Sequence, residues 1–139
     1  MSHFPEGAFV LSVPVPPSSN VYWRTRVITP NHAKPFVSTY VSAEAKEYKI
    51  LTKNAAIAAG MKRIRKPNEV VFYGVWYRAR KSGDLKNRNK VLEDALEGAA
   101  YDNDSQIAEA HWWRSDADPG NARVDFCVVP LGDVQETIL

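Results

Sequence analysis

The stretch "EVVFYGVWYRARKSGDLKNRNKVLEDALEGAA", residues 69–100, decides the fold. From Val70 to Tyr77 it is apolar at both alternating sets of positions, so a strand built from it has no face to leave to water. That predicts a central strand. "KSGD" ends it, and the period then changes. Val91, Leu92, Ala95, Leu96 and Ala99 recur at helical spacing, which predicts a helix over about 86–99.

Upstream, "AFVLSVPVPP" starts as a strand, and its prolines at 14, 16 and 17 cannot donate to a ladder. That strand therefore finishes there or lies at an edge. "PPSSNVYWRTR" reads as a turn with an aromatic and basic exit, and "KPFVSTYVS" as a second strand. Ser42 is placed to cap a helix over about 43–60, which Gly60 stops. Tyr48, Leu51, Ala55 and Ala58 are its expected apolar stripe. Lys46, Lys49 and Lys53 share another face, open to solvent or to a phosphate backbone. Downstream, "IAEAHWWRS" and "ARVDFCVVPL" read as strands, and "DADPGN" between them has the residues of a hairpin loop. "GDVQETIL", 132–139, reads as a loosely held tail. The expected fold is α+β: one domain over 1–139, with two helices packed on one face of a sheet.

Composition narrows the function. Hydrophobic residues make 45% of the 139, enough for a core, and no apolar run approaches the ~20 residues of a membrane span. "MSHFPEGAF" has no basic region followed by an apolar core, so no signal peptide is expected. The single cysteine, Cys127, excludes an intrachain disulfide and fits a reducing compartment. No basic group adjoins it, so it reads as a buried thiol rather than a nucleophile.

The net charge of +2 hides an asymmetry. Residues 62–90 hold ten Lys/Arg and two acids, whereas 91–139 hold two Lys/Arg and eleven acids. Either the two sets pair on the folded surface, or the basic part holds phosphates and the acidic part holds metal ions.

There is no phosphate-binding glycine loop, no zinc-ligand cluster and no G-x-S-x-G. What remains is "GDLKNRNKVLEDALEGAAYDNDSQ", 83–106. Asp84 stands where strand gives way to helix, and Asp104 in the loop before the next strand. A helix packing back on the sheet is expected to bring those loops to the same edge. Two carboxylates there suit Mg²⁺, a hard ion that takes oxygen ligands. Lys90, one turn into the helix, is suited to charge on a phosphate. Each residue also has an ordinary role: Asp84 as a helix cap, Asp94 paired with Lys90 four residues away, "DNDS" as an Asx-rich turn.

This segment resembles the RusA family of Holliday junction resolvases. The matching residues are Asp84, Asn87, Lys90 and Asp94, followed by Asn103 and Asp104 in the place of the family's acidic pair, then Ser105 and Gln106. "VPVPPSSNVYWR" is similar to the family's N-terminal Pro-Pro-Ser run. The resemblance implies a mixed sheet with helices on one face. It also implies a cytoplasmic bacterial or prophage homodimer, not associated with membranes, that binds four-way or other branched DNA. Each subunit would nick one strand by Mg²⁺-dependent hydrolysis, in recombination and repair. Asp84 and Asp104 are then the expected metal ligands, and Asn87 and Lys90 the other catalytic residues. Asp94 and Asp102 are the supporting or substitute acids. Lys62, Arg63, Arg65, Lys66, Arg78, Arg80 and Lys81 are the expected DNA contacts, with Tyr22 and Trp23 available to stack on unpaired bases.

Lys86 departs from the pattern, because the family places a second metal-binding Asp there. A lysine removes a ligand and adds positive charge beside the ion. Three readings stay open. Cleavage is lost, the ammonium takes the metal's place and the protein binds junctions without cutting, or another acid substitutes.

Overall fold

The computed structural model describes residues 3–17, 23–28, 34, 36–78, 86–118 and 120–133, with the backbone alone at 23–26, 28, 36–41, 86 and 87. In chain order the elements are β1 (Leu11–Val13), β2 (Trp23–Ile28), β3 (Phe36–Val41), α1 (Ala43–Ala58), β4 (Val70–Tyr77), α2 (Lys86–Ala95), a 3₁₀ turn (Asp104–Gln106), β5 (Ile107–Ser115) and β6 (Arg123–Pro130). The fold is α+β, with a mixed four-stranded sheet in the order β1-β6-β4-β5 and a separate β2-β3 ribbon.

β4 takes the inner position that its two apolar faces require. Val70, Phe72 and Trp76 point to the helices, where Val91, Leu92 and Leu96 of the α2 region meet Val124 and Phe126 of β6 in one core. Val71 and Val75, on the opposite face, are also buried. Gly74 interrupts the run for a local reason. The Trp112 ring from β5 lies across it, and a Cβ at Gly74 would sit 2.7 Å from the ring. That ring stacks on Phe72 at 5.2 Å, so it has little room to retreat. Gly74→Ala is expected to cost about 2 kcal/mol through overpacking, read as a lower urea midpoint at unchanged slope.

Three expectations are corrected. "DADPGN" does not close a hairpin. β5 runs parallel to β4 and β6 antiparallel to its other side, so the turn carries the chain past the end of β4. A strand that needs burial on both faces wins the middle place over a local pairing. Second, Trp23–Ile28 is a strand paired with β3, in what was expected to be the exit of a turn. Third, α1 buries Ala45, Tyr48, Thr52 and Ala56, while Leu51 is 61% exposed. The Tyr48 hydroxyl donates to the Pro14 carbonyl at 2.9 Å, and small residues flank it on the buried stripe.

Other local signals hold. The Ser42 hydroxyl accepts from the Ala45 amide at 3.2 Å, capping α1. β1 is an edge strand ending before Pro14. Cys127 is buried, and burial pushes its thiol up to about 11. Of the expected tail, 134–139 lies outside the described residues. Among those described, no helix is long and apolar enough to cross a membrane.

Candidate functional site

α2 ends at Ala95 rather than near 99, because Gly98, at φ 87°, turns the chain. The Gly98 amide donates to the Tyr101 carbonyl at 2.7 Å and closes the turn. Tyr101, fully buried, donates its hydroxyl to the Glu93 carbonyl at 2.5 Å. This reversal lays the 3₁₀ turn back against the last turns of α2. Asn103 caps it, its side chain accepting from the Ser105 amide at 2.9 Å.

Asp104 thereby meets Lys90, 14 residues away, in a hydrogen-bonded ion pair. Lys90 also reaches Asp94 at 3.2 Å. The Asp104 amide donates to Glu97 at 3.2 Å. Carboxylate oxygens of Asp94, Glu97 and Asp104 all lie within 4.8 Å of one another. Lys90, Asp94 and Asp104 are thus brought together as their pattern suggested. Glu97 was missed. Its only sequence signal is its place three residues after Asp94, just before the glycine that turns the chain.

The electrostatics follow from this crowding. The hydrogen bond from Lys90 holds Asp104 below the ordinary carboxylate range, and that bond in turn raises Lys90. Burial raises Asp94, and a hydrogen bond to Asp104 adds to the rise. Burial pushes Glu93 from the ordinary 4.5 up to about 7; Lys90 opposes the rise, and Asp104 and Asp94 add to it. The folded state therefore holds the Glu93 proton more tightly than the unfolded chain. Its contribution to stability is complete below the unfolded pKa and is lost as pH rises through about 7. Discounted for partial exposure, the parent should lose about 2 kcal/mol between roughly pH 5 and pH 8 that Glu93→Gln does not lose. Urea unfolding of both proteins at the two pH values measures it.

The other expected residues separate. Asp102 turns away from Asp104. Its carboxylate takes the Lys66 amide at 2.9 Å and Arg63 Nε at 2.6 Å, with Arg65 at 3.6 Å, and these contacts lower its pKa, the Lys66 amide foremost. So it braces the basic connection 61–69 against the site loop. Arg78 pairs with Asp116 through two bonds of 3.0 and 2.9 Å. Lys62 is exposed on the same connection. Asp84, Arg80, Lys81 and Tyr22 lie outside the described residues, as do the side chains of Trp23, Lys86 and Asn87.

The loop that holds Asp84 lies outside the described residues, and the expected meeting of the Asp84 and Asp104 loops at one edge lies there with it. The parallel register sets Ile107, at the start of β5, beside Val70, at the start of β4, whereas α2 begins after the end of β4.

Three carboxylates within reach of one another are a hard-oxygen donor set of the kind divalent cations take, so the residues present fit such an ion. In the comparison with family models, the family described as Endodeoxyribonuclease RusA matches residues 14–125, most of the chain. The search of curated proteins gives no match.

Proposed function

Since the chain belongs to the RusA endodeoxyribonuclease family, with the Holliday junction resolvase activity that membership implies, we propose that it binds four-way DNA junctions as a homodimer and cuts them by Mg²⁺-dependent hydrolysis. The meeting of Lys90 with Asp104 and Asp94 supports this most directly. Lys90 and Asp94 share one face of α2 and Asp104 joins them from 14 residues away, so motif residues of two elements form one charged cluster beside a basic connection.

The roles follow from chemistry. Asp104 is a metal ligand, and Asp84 is assigned the same role on the motif alone. The bound ion would polarise the phosphate and activate a water. Lys90, kept cationic by its carboxylate partners, is placed to take charge building on the phosphate. Asn87 orients one of these groups by hydrogen bonding. Lys62, Arg63, Arg65 and Lys66 carry the DNA backbone toward the carboxylates. Arg63 and Arg78, already held by Asp102 and Asp116, contribute less. A two-fold dimer suits paired cuts on opposed strands.

A second reading rests on Lys86, which stands where the motif has an acid: the protein holds branched DNA and cuts it weakly or not at all. A labelled four-way junction, incubated in Mg²⁺ with the parent and with Lys86→Asp, separates the two. Cutting only by the variant assigns the parent to junction binding. Equal cutting by both makes it a working nuclease. An absence of binding and cutting by both defeats the junction reading.

A further inference from the structure

We infer that the outward face of α1, made of Ile50, Leu51, Asn54, Ile57 and Ala58, is where a second copy of this chain docks, α1 against α1 and antiparallel. The inference rests on the homodimer of the proposed function and names its contact surface. Three observations carry it.

First, the large aliphatic residues of α1 face outward. Its buried stripe is Ala45, Tyr48, Thr52 and Ala56, mostly small residues. Ile50, Leu51 and Ile57 are 60%, 61% and 53% exposed. At 3.6 residues per turn the five residues of the face fall within ~60° of Asn54, on the side away from that stripe. A helix that is apolar on two opposite sides calls for cover on both.

Second, the face is a palindrome about Asn54. Ile50 and Leu51 stand four and three residues before it, and Ile57 and Ala58 three and four after it. A two-fold pairing needs such a pattern, because each contact is made twice with the roles exchanged. With the axis at Asn54, Ile50 faces the partner's Ile57 and Leu51 faces the partner's Ala58. Asn54 meets its own counterpart. Its amide both donates and accepts, so it pairs with itself, and one polar residue in an apolar seam fixes register and orientation.

Third, the face carries no charge. Lys53, on its flank, is turned toward its own chain: a Cβ at Gly98 would lie 2.8 Å from the Lys53 Nζ. An uncharged apolar face suits a copy of itself rather than a phosphate backbone.

The test is sedimentation velocity on the full chain without DNA, over a concentration series. A helix pair this short covers less than the ~800 Å² per partner of a standard interface, so dissociation in the micromolar range is expected. Leu51→Glu puts a charge in the seam and should weaken association at least about tenfold. Its melting temperature, taken where the parent is monomeric, should stay near the parent's because the position is exposed. Under mild oxidation Asn54→Cys should give a disulfide-linked dimer, and Ala117→Cys, exposed in a loop, should not. Cys127 is buried and does not compete. If Leu51→Glu dimerises as well as the parent, and Asn54→Cys cross-links no more than Ala117→Cys, the inference falls and the homodimer of the proposed function stands. A parent that stays monomeric, alone and on a junction, overturns both. A parent dimer that Leu51→Glu breaks but that binds no junction keeps the inference and overturns the junction reading.

Discussion

Asp104→Asn lowers junction cleavage by on the order of a hundredfold or more while leaving the melting temperature nearly unchanged. Both halves follow from the site. The Asp104 carboxylate is the meeting point of Lys90, Asp94 and the Glu97 turn. Asparagine has the same shape and keeps the backbone amide that bonds Glu97, but it removes the charge. A hard cation loses an anionic ligand, and Lys90 loses one of the two carboxylates that fix its ammonium. The stability cost is small because Lys90 is 60% exposed, and exposed pairs contribute about 1 kcal/mol or less. Removing one of several crowded acids also relieves repulsion. The assay belongs in both the parent and the Lys86→Asp background, so that a slow parent does not hide the effect. Undiminished cutting by Asp104→Asn in an active background would remove Asp104 from the chemistry.

Gln106→Leu should destabilise the protein by about 4 kcal/mol, the largest stability effect expected of any site-loop residue. Gln106 is 5% exposed, and its amide is fully used. Its oxygen accepts from the Asp102 and Asn103 amides at 2.7 and 3.0 Å. Its nitrogen donates to the Ile64 and Asn68 carbonyls at 3.0 and 2.8 Å. Leucine has similar bulk but leaves four backbone groups in or near the interior without partners, each costing about 1–3 kcal/mol less whatever water recovers. The clamp joins the acidic loop to the basic connection, so its loss also loosens Asp102 from Arg63. Equilibrium urea unfolding measures it, and a change below about 1 kcal/mol would mean that water replaces the amide readily.

Gln106 also shows what was legible and what was not. Its place after Asp104 and Ser105 was visible as part of a motif. Its action as a two-sided clamp was not, because two of its partners are more than 35 residues away. The two acids of the loop differ in the same way. Asp102 and Asp104 are neighbours in sequence, and either is a reasonable ligand on residue type. In the folded chain one faces Lys66 and Arg63 and the other faces Lys90 and Asp94. Asp102 also shows that the basic and acidic halves pair in part, Arg63 and Arg65 on Asp102 and Arg78 on Asp116.

The sequence by itself determined what local physics can specify. Apolar residues on both alternating faces made β4 an inner strand, Ser42 and Gly60 bounded α1, the prolines after Val13 stopped β1, and residue types at set spacings marked 84–106 as the chemical segment. Only the tertiary structure decided which strands flank β4, which stripe of α1 is buried, and that Glu97 rather than Asp102 joins Asp94 and Asp104. The physical reason is range. Periodicity, caps and breakers act over a few residues and leave a trace in the local sequence. Strand order and the meeting of side chains depend on competition among distant partners for the same burial and the same charge, and many arrangements share one local pattern.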